Sequence, residues 1–364
     1  MGIPVALVAG VSGITGQNSA KSLVDKGWRV YGLSRTRGAE IPGVRHLYAD
    51  LVKPDQLNAV FAELNFSHMF FASWSRQLTE VENCVVNGAM LRNVIVAAAE
   101  AGNLKHVALV TGLKHYLGPF EAYASMPVET PFRETQGRLP NRNFYYDQED
   151  ILLSTGKTYG FTWSVHRAST IIGWALGNAM NMGVTLAVYG SICRVTGRPF
   201  TFPGSVQQWD GIVDVVDARL LGHHLLWAAT EPRAQNEAFN VTNGDVFRWR
   251  QMWPILAGNF GVETPEFGGQ VTPLVDLMID ADSDWKKIVA NYGLVDISAS
   301  KLASWWHTDA DLGRPVETFA DMSKSRESGF LEYQSSMHSF LNLFQKLRAG
   351  GIIPSFPEPV PSHA

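Results

Sequence analysis

The chain has 364 residues, of which 46% are hydrophobic and 18% charged, so it can bury a large core, and disorder through low hydrophobicity is excluded. Its 30 basic and 34 acidic residues leave a net charge of −4, which argues against a nucleic-acid or anionic-membrane surface. Two cysteines, Cys84 and Cys193, are too few for a disulfide framework or a four-thiolate zinc site.

In chain order, the first 170 residues alternate short β-type runs with helical patterns, the signature of parallel βαβ units. Strands are expected at Val5–Ala9, Arg29–Ser34, Arg45–Ala49, His68–Ser73, His106–Thr111 and Thr162–Arg167. The helices between them are expected at Gln17–Lys26, Pro54–Leu64, about Thr79–Ala101 and Tyr145–Thr158. Pro119, Pro127, Pro131 and Pro140 break up the stretch before Asn143. Residues 173–211 read as irregular, Asp214–Ala229 as a helix and Ala238–Thr242 as a strand. The remainder is mostly helical, with an amphipathic segment at Met337–Arg348 and a proline-rich tail. This predicts a doubly wound parallel α/β sheet over 1–170, rejoined by 206–245. A smaller, mostly helical cap is expected from 171–205 and 246–364. The N-terminal residues lack a signal-peptide pattern and no apolar run is long enough to span a bilayer, so a cytoplasmic location is expected.

Gly10-Val11-Ser12-Gly13-Ile14-Thr15-Gly16 follows the first strand and opens the first helix. Glycines there permit a tight turn and close approach to a pyrophosphate, which the helix N-terminus would favour. A glycine-rich turn without a ligand is the plainer alternative. The second strand ends in Ser34-Arg35-Thr36 instead of the acidic residue that would bind an NAD ribose. A guanidinium beside a hydroxyl suits a 2′-phosphate, so NADPH/NADP+ is expected over NAD, with Arg35 the main contact. Asp50, with Leu51, falls where the adenine would lie, although Asp50 equally suits a helix cap. Ser73, Thr111 and Ile171 complete the expected cofactor contacts.

Short-chain reductases commonly place Tyr and Lys at i and i+4 on one helix, where the ammonium lowers the phenol pKa. None of the ten tyrosines has such a lysine; Tyr145 is followed at i+4 by Glu149 and Tyr146 by Asp150. Lys114, just past the fifth strand, is the alternative cation, although a solvated loop lysine is an equal reading from position alone. No metal-ligating motif occurs, and the adjacent His223 and His224 would point apart on a helix.

Two longer motifs are specific. Thr111-Gly112-Leu113-Lys114-His115-Tyr116-Leu117-Gly118-Pro119-Phe120-Glu121 and Asn143-Phe144-Tyr145-Tyr146-x-x-Glu149-Asp150 resemble the progesterone 5β-reductase/iridoid synthase-like family, atypical extended short-chain dehydrogenase/reductases. Trp163–Arg167, Asn236–Asp245, Trp305-Trp306 and Ser328–Phe330 extend the resemblance over nearly the whole chain. The resemblance implies NADPH-dependent reduction of the activated C=C bond of a small apolar enone or enal. Lys114 and Tyr145 would then be the catalytic pair, the hydride going to the β-carbon and Tyr145 stabilising the enolate oxygen. Trp74, Phe120 and His307 would line the substrate site. His307 stands where plant members carry an aromatic residue, Ala168 replaces a usual proline, and Thr36 a frequent second arginine. A homodimer through the helices at 82–101 and 145–158 is also expected. A carbonyl reductase, a nucleotide-sugar epimerase and a non-catalytic NADP sensor are the rival readings.

Overall fold

The computed structural model describes residues 2–119, 123, 128–177 and 180–356. The chain divides into two compact units: Met1–Ser169 with Val216–Asn243 and Ala320–Tyr333, and Thr170–Val215 with Gly244–Phe319 and Gln334–Ala364.

The first unit holds β1 (Val5–Ala9), α1 (Ile14–Asp25), β2 (Arg29–Ser34), β3 (Val44–Tyr48), α2 (Pro54–Phe61) and β4 (His68–Phe71). It continues with α3 (Glu80–Glu100), β5 (His106–Gly112), α4 (Lys114–Leu117), α5 (Phe144–Tyr159), β6 (Thr162–Ala168) and β7 (Glu237–Val241). The seven strands form one parallel sheet in the order β3-β2-β1-β4-β5-β6-β7. The strand order reverses direction beside β1, and the carboxyl ends at such a switch point form a ligand crevice. Strands β1, β4 and β5 are buried along almost their whole length, which is why their sequences are continuously apolar. Leu7, Leu33, Phe71, Leu109 and Val165 share one core under the helices.

Helix ends follow local chemistry. Thr79 and Glu82 close a reciprocal capping box on α3. Asn143 caps α5, which stops at Gly160 in the left-handed conformation (φ +76°). Several boundaries move from those expected. Helix α1 starts at Ile14, so the last part of the glycine loop is already its first turn. The helix expected from Asp214 begins at Ala218, because buried Asp217 is its N-cap and accepts from the Arg219 N–H.

The second unit is built around the helix Met182–Thr196, in a stretch expected to be irregular. Twelve of its fifteen residues are buried, so it has no polar face and hence no amphipathic period to read. Around it pack Phe200, Trp249, Trp253, Trp285, Phe340 and Phe344. The indoles of Trp253 and Trp285 donate to the carbonyls of Phe200 and Ile297, both at 2.9 Å, leaving neither N–H orphaned. Among the described residues no helix is long and apolar enough to cross a membrane.

Candidate active site

The glycine loop is a backbone device. Gly10 has φ +89°, and a Cβ there would fall 2.6 Å from Ser73 Oγ and 2.9 Å from the Ala72 carbonyl. A Cβ on Gly16 would lie 2.1 Å from the Gly10 carbonyl, so the first turn of α1 can press on the loop only as glycine. The Gly10 and Val11 N–H groups bond the Leu33 carbonyl, and Gly13 N–H the Gly10 carbonyl, which ties the loop to β2. Ser12 is exposed at its tip, and Ile14 is buried beneath it. The structure thus brings Gly10, Ser12, Gly13, Ile14, Gly16 and Ser73 together.

At the end of β2, Ser34 Oγ donates to the Thr36 carbonyl at 2.9 Å, shaping the turn that leaves Arg35 and Thr36 exposed. Asp50 accepts from Val52 N–H at 3.2 Å and so stabilises its own turn, next to buried Leu51. It does not cap α2, whose N-cap is Lys53. Thr111 Oγ1, near the carboxyl end of β5, is buried without a hydrogen-bond partner. An orphaned buried hydroxyl, a cradle that a Cβ would fill and an exposed guanidinium fit a phosphorylated dinucleotide.

Lys114 and Tyr145 come from different elements. Lys114 opens α4 and is 9% exposed, not the solvated lysine its loop position allows. Its ammonium lies 5.6 Å from the Trp74 ring centroid and 5.2 Å from that of Phe144. Those rings are almost parallel, 8° apart with centroids at 5.9 Å. Cation–π attraction of this kind reaches about 2 kcal/mol when desolvated. Tyr145, in the first turn of α5, packs its ring on Phe144 with centroids 4.4 Å apart. Its hydroxyl reaches β5: a Cβ on Gly112 would sit 3.4 Å from it and 3.1 Å from the Ala168 carbonyl. Desolvation, reinforced by Tyr123 and Glu80, pushes the Tyr145 phenol well above its ordinary range. The group therefore stays protonated and can act as a hydrogen-bond donor.

Glu149, at the i+4 position, faces away from this chemistry. It is buried and meets Arg138 at 3.1 Å, Arg167 at 3.5 Å and His115 Nδ1 at 3.5 Å. Burial alone would raise its carboxyl, but these partners outweigh burial and hold it below the usual range. Burial also lowers His115, so this imidazole is neutral and the two arginines carry the charge compensation. Further bonds fix the same corner. Tyr146 donates to the His115 carbonyl at 2.6 Å, and Tyr116 to Asn240 Oδ1 at 2.6 Å. Phe144 N–H bonds Glu80 Oε1 at 2.8 Å. The two long motifs thus interlock: among the described residues, most of their polar side chains bond to the backbone or side chains of the same corner, which also holds Lys114 and Tyr145. Sequence reasoning passed over Arg138 and left Glu149, Arg167 and Asn240 as motif members without a role; the one hint of their network was a carboxylate where a lysine was sought.

Ile171 and His307 belong to the second unit, where His307 is half-buried on the helix Trp305–Leu312. Phe120 lies outside the described residues. Among the described residues no cluster of side chains could hold a metal ion. His223 pairs with Glu332, whereas His224 is buried against His166, so the neighbours do point apart.

A seven-stranded parallel sheet with a glycine cradle at its switch point defines a Rossmann-fold protein. Solved structures share this fold. A UDP-glucose 4-epimerase from Thermotoga maritima, determined with UDP-glucose, matches at a TM-score of 0.68 and 12% identity over 95% of this chain and 99% of that one. A Thermus thermophilus UDP-glucose 4-epimerase in complex with NAD matches at 0.66 and 15% identity, over 94% and 99%. At such identities the likeness is one of fold alone.

Sequence defines the family. Residues 56–354 match the PRISE-like Rossmann-fold domain, and the chain belongs to that family. An (S)-8-oxocitronellyl enol synthase from Nepeta cataria is 42% identical over 96% of this chain and 93% of its own. A 3-oxo-Δ4,5-steroid 5β-reductase from Arabidopsis thaliana is 39% identical over 96% and 92%. The protein is an oxidoreductase.

Proposed function

We propose that the protein catalyses NADPH-dependent 1,4-reduction of the activated C=C bond of a small apolar enone or enal. The observation that carries this reading is the Tyr145 hydroxyl beside Gly112, at the carboxyl end of β5 and held protonated by its surroundings. The chemistry a bound NADPH would supply is hydride donation to the enone β-carbon. Negative charge then gathers on the carbonyl oxygen, and a fixed phenolic donor stabilises it as an enolate. The oxygen needs no permanent proton, because the proton finally resides on the α-carbon. A raised phenol pKa suits that role, since a donor that keeps its proton stabilises charge without titrating away. A Tyr–Lys helix relay, which lowers the phenol pKa, is replaced here by a carboxylate at i+4 that serves the scaffold.

Lys114 would add positive charge to this corner and hold the cofactor or a water, and Trp74 would give the substrate an apolar wall. Arg35, exposed with Thr36 behind Ser34, would bind the 2′-phosphate. Asp50 would reach the adenine amino group with the carboxylate oxygen that its own turn does not use. Names of the relatives support the C=C bond as the site of reduction. Two free, buried cysteines suit a reducing compartment and a cytoplasmic enzyme. A homodimer would use α3 and α5, whose outer faces leave Val81, Val85 and Leu153 exposed. The test is NADPH consumption against a panel of enones, enals and steroids with product identification. Saturated carbonyl products are expected; allylic alcohols, or no turnover with any member, would overturn the assignment.

A further inference from the structure

We propose that Asn143 is the positioning residue that holds the two catalytic groups in one register; this rests on the assignment of Lys114 and Tyr145 above. Its Oδ1 accepts the Tyr145 backbone N–H at 3.1 Å, and its Nδ2 donates to the Lys114 carbonyl at 2.6 Å. The side chain is 2% exposed, so neither bond competes with bulk water. One amide therefore joins the backbone of both residues, which lie 31 positions apart in sequence.

The amide orientation is unique. Turning it over would set its NH2 against the Tyr145 N–H and its oxygen against the Lys114 carbonyl, losing both bonds. Capping alone does not explain an asparagine here. Ser, Thr or Asp would cap α5 equally well through an acceptor oxygen. What asparagine adds is a donor NH2, which bonds the Lys114 carbonyl and also meets the Tyr146 hydroxyl. Helix α4 is a single turn of four residues, too short to hold its own position. Its first carbonyl accepts Gly118 N–H at 3.0 Å from within and Asn143 from without. The neighbouring locks, Tyr146 on the His115 carbonyl and Glu149 near the His115 ring, fix the turn at the next residue. Asn143 thus sets how far the Lys114 ammonium lies from the Tyr145 phenol.

The test uses two substitutions in the full-length enzyme. Asn143→Asp and Asn143→Ser both keep an acceptor for the Tyr145 N–H and lose the donor to Lys114; serine adds no buried charge if the aspartate variant folds poorly. Each should lower kcat about 10- to 100-fold, the scale of a small misplacement, while KM and NADPH affinity change less than twofold. Reductive methylation of Lys114, followed by mass spectrometry, should run several-fold faster in both than in the parent enzyme. Where the parent turns over enones, a kcat within twofold of parent in both variants overturns the proposal, and Asn143 is a helix cap only. Where the parent turns over none, the enone reading fails by itself and labelling decides. Faster Lys114 methylation then upholds the clamp, and an unchanged rate overturns it.

Discussion

The glycine cradle and the Lys114/Tyr145 corner lie at the ends of parallel strands in the same unit, yet they are built from opposite materials. The cradle is backbone: its shape depends on missing side chains at Gly10 and Gly16, and residues 10–16 carry no titratable group. The corner is side chains: Glu149, Arg138, Arg167, Asn143, Tyr116 and Tyr146 arrive from four stretches of the first unit and frame the segments that carry Lys114 and Tyr145. A backbone site is written locally and resists changes of pH. A side-chain site is written across the chain, and charge changes can undo it.

Acid should expose that difference most. Through the same unit runs a buried chain of bonds linking His106, Ser164, His166, His224 and Ser325, each step between 2.8 and 3.1 Å. Burial holds His106 and His224 at about 3, and His166 well below its ordinary value. The central link joins two ring nitrogens through one proton, so charging both His166 and His224 breaks it, and any charge added to the three rings is buried. The folded pKa values lie below the unfolded 6.5, so between these limits the unfolded chain binds more protons and stability falls as pH falls. With three histidines the slope near pH 5 is about 4 kcal/mol per pH unit. Chemical denaturation from pH 8 to pH 4.5 checks it; a flat profile would mean that the chain is hydrated or already charged.

Next in size is the corner's chemistry. Tyr145→Phe would remove the donor proposed for the developing oxyanion and should lower kcat by about 10²–10³ with little change in NADPH affinity, measurable by steady-state kinetics and cofactor titration. Glu149→Ala should destabilise the fold by about 3 kcal/mol, because it leaves Arg167 buried without its carboxylate. Urea denaturation measures this. A loss below about 1 kcal/mol would show that the network relaxes onto water. The smallest effect belongs to the cradle side. Arg35→Ala should cut the NADPH-over-NADH preference about tenfold, because an exposed guanidinium gives up one charge-assisted contact. Equal preference before and after would remove Arg35 from the phosphate site.

The same contrast explains what could be read from sequence. Each strand of the sheet was visible because βαβ alternation is local, and the cradle because a glycine-rich turn after β1 has a local cause. The corner was visible only through whole motifs. Glu149 at i+4 of Tyr145 carries the wrong sign for the expected relay, and its partners Arg138 and Arg167 lie 11 and 18 residues away on either side. The helix Met182–Thr196 was invisible for the reverse reason, since full burial erases amphipathic periodicity. Segment 320–333 returns to the first unit through contacts such as Phe132 with Ala320 and Ser325 with His224, which nothing in its own composition announces.

The role proposed for Tyr145 is to stabilise an enolate instead of protonating an alkoxide. Its most direct test supplies NADPH deuterated at the transferable position together with a simple enone, and locates the label by NMR and mass spectrometry. Deuterium on the β-carbon of a saturated ketone is the result expected. Deuterium on the carbinol carbon of an allylic alcohol would contradict it.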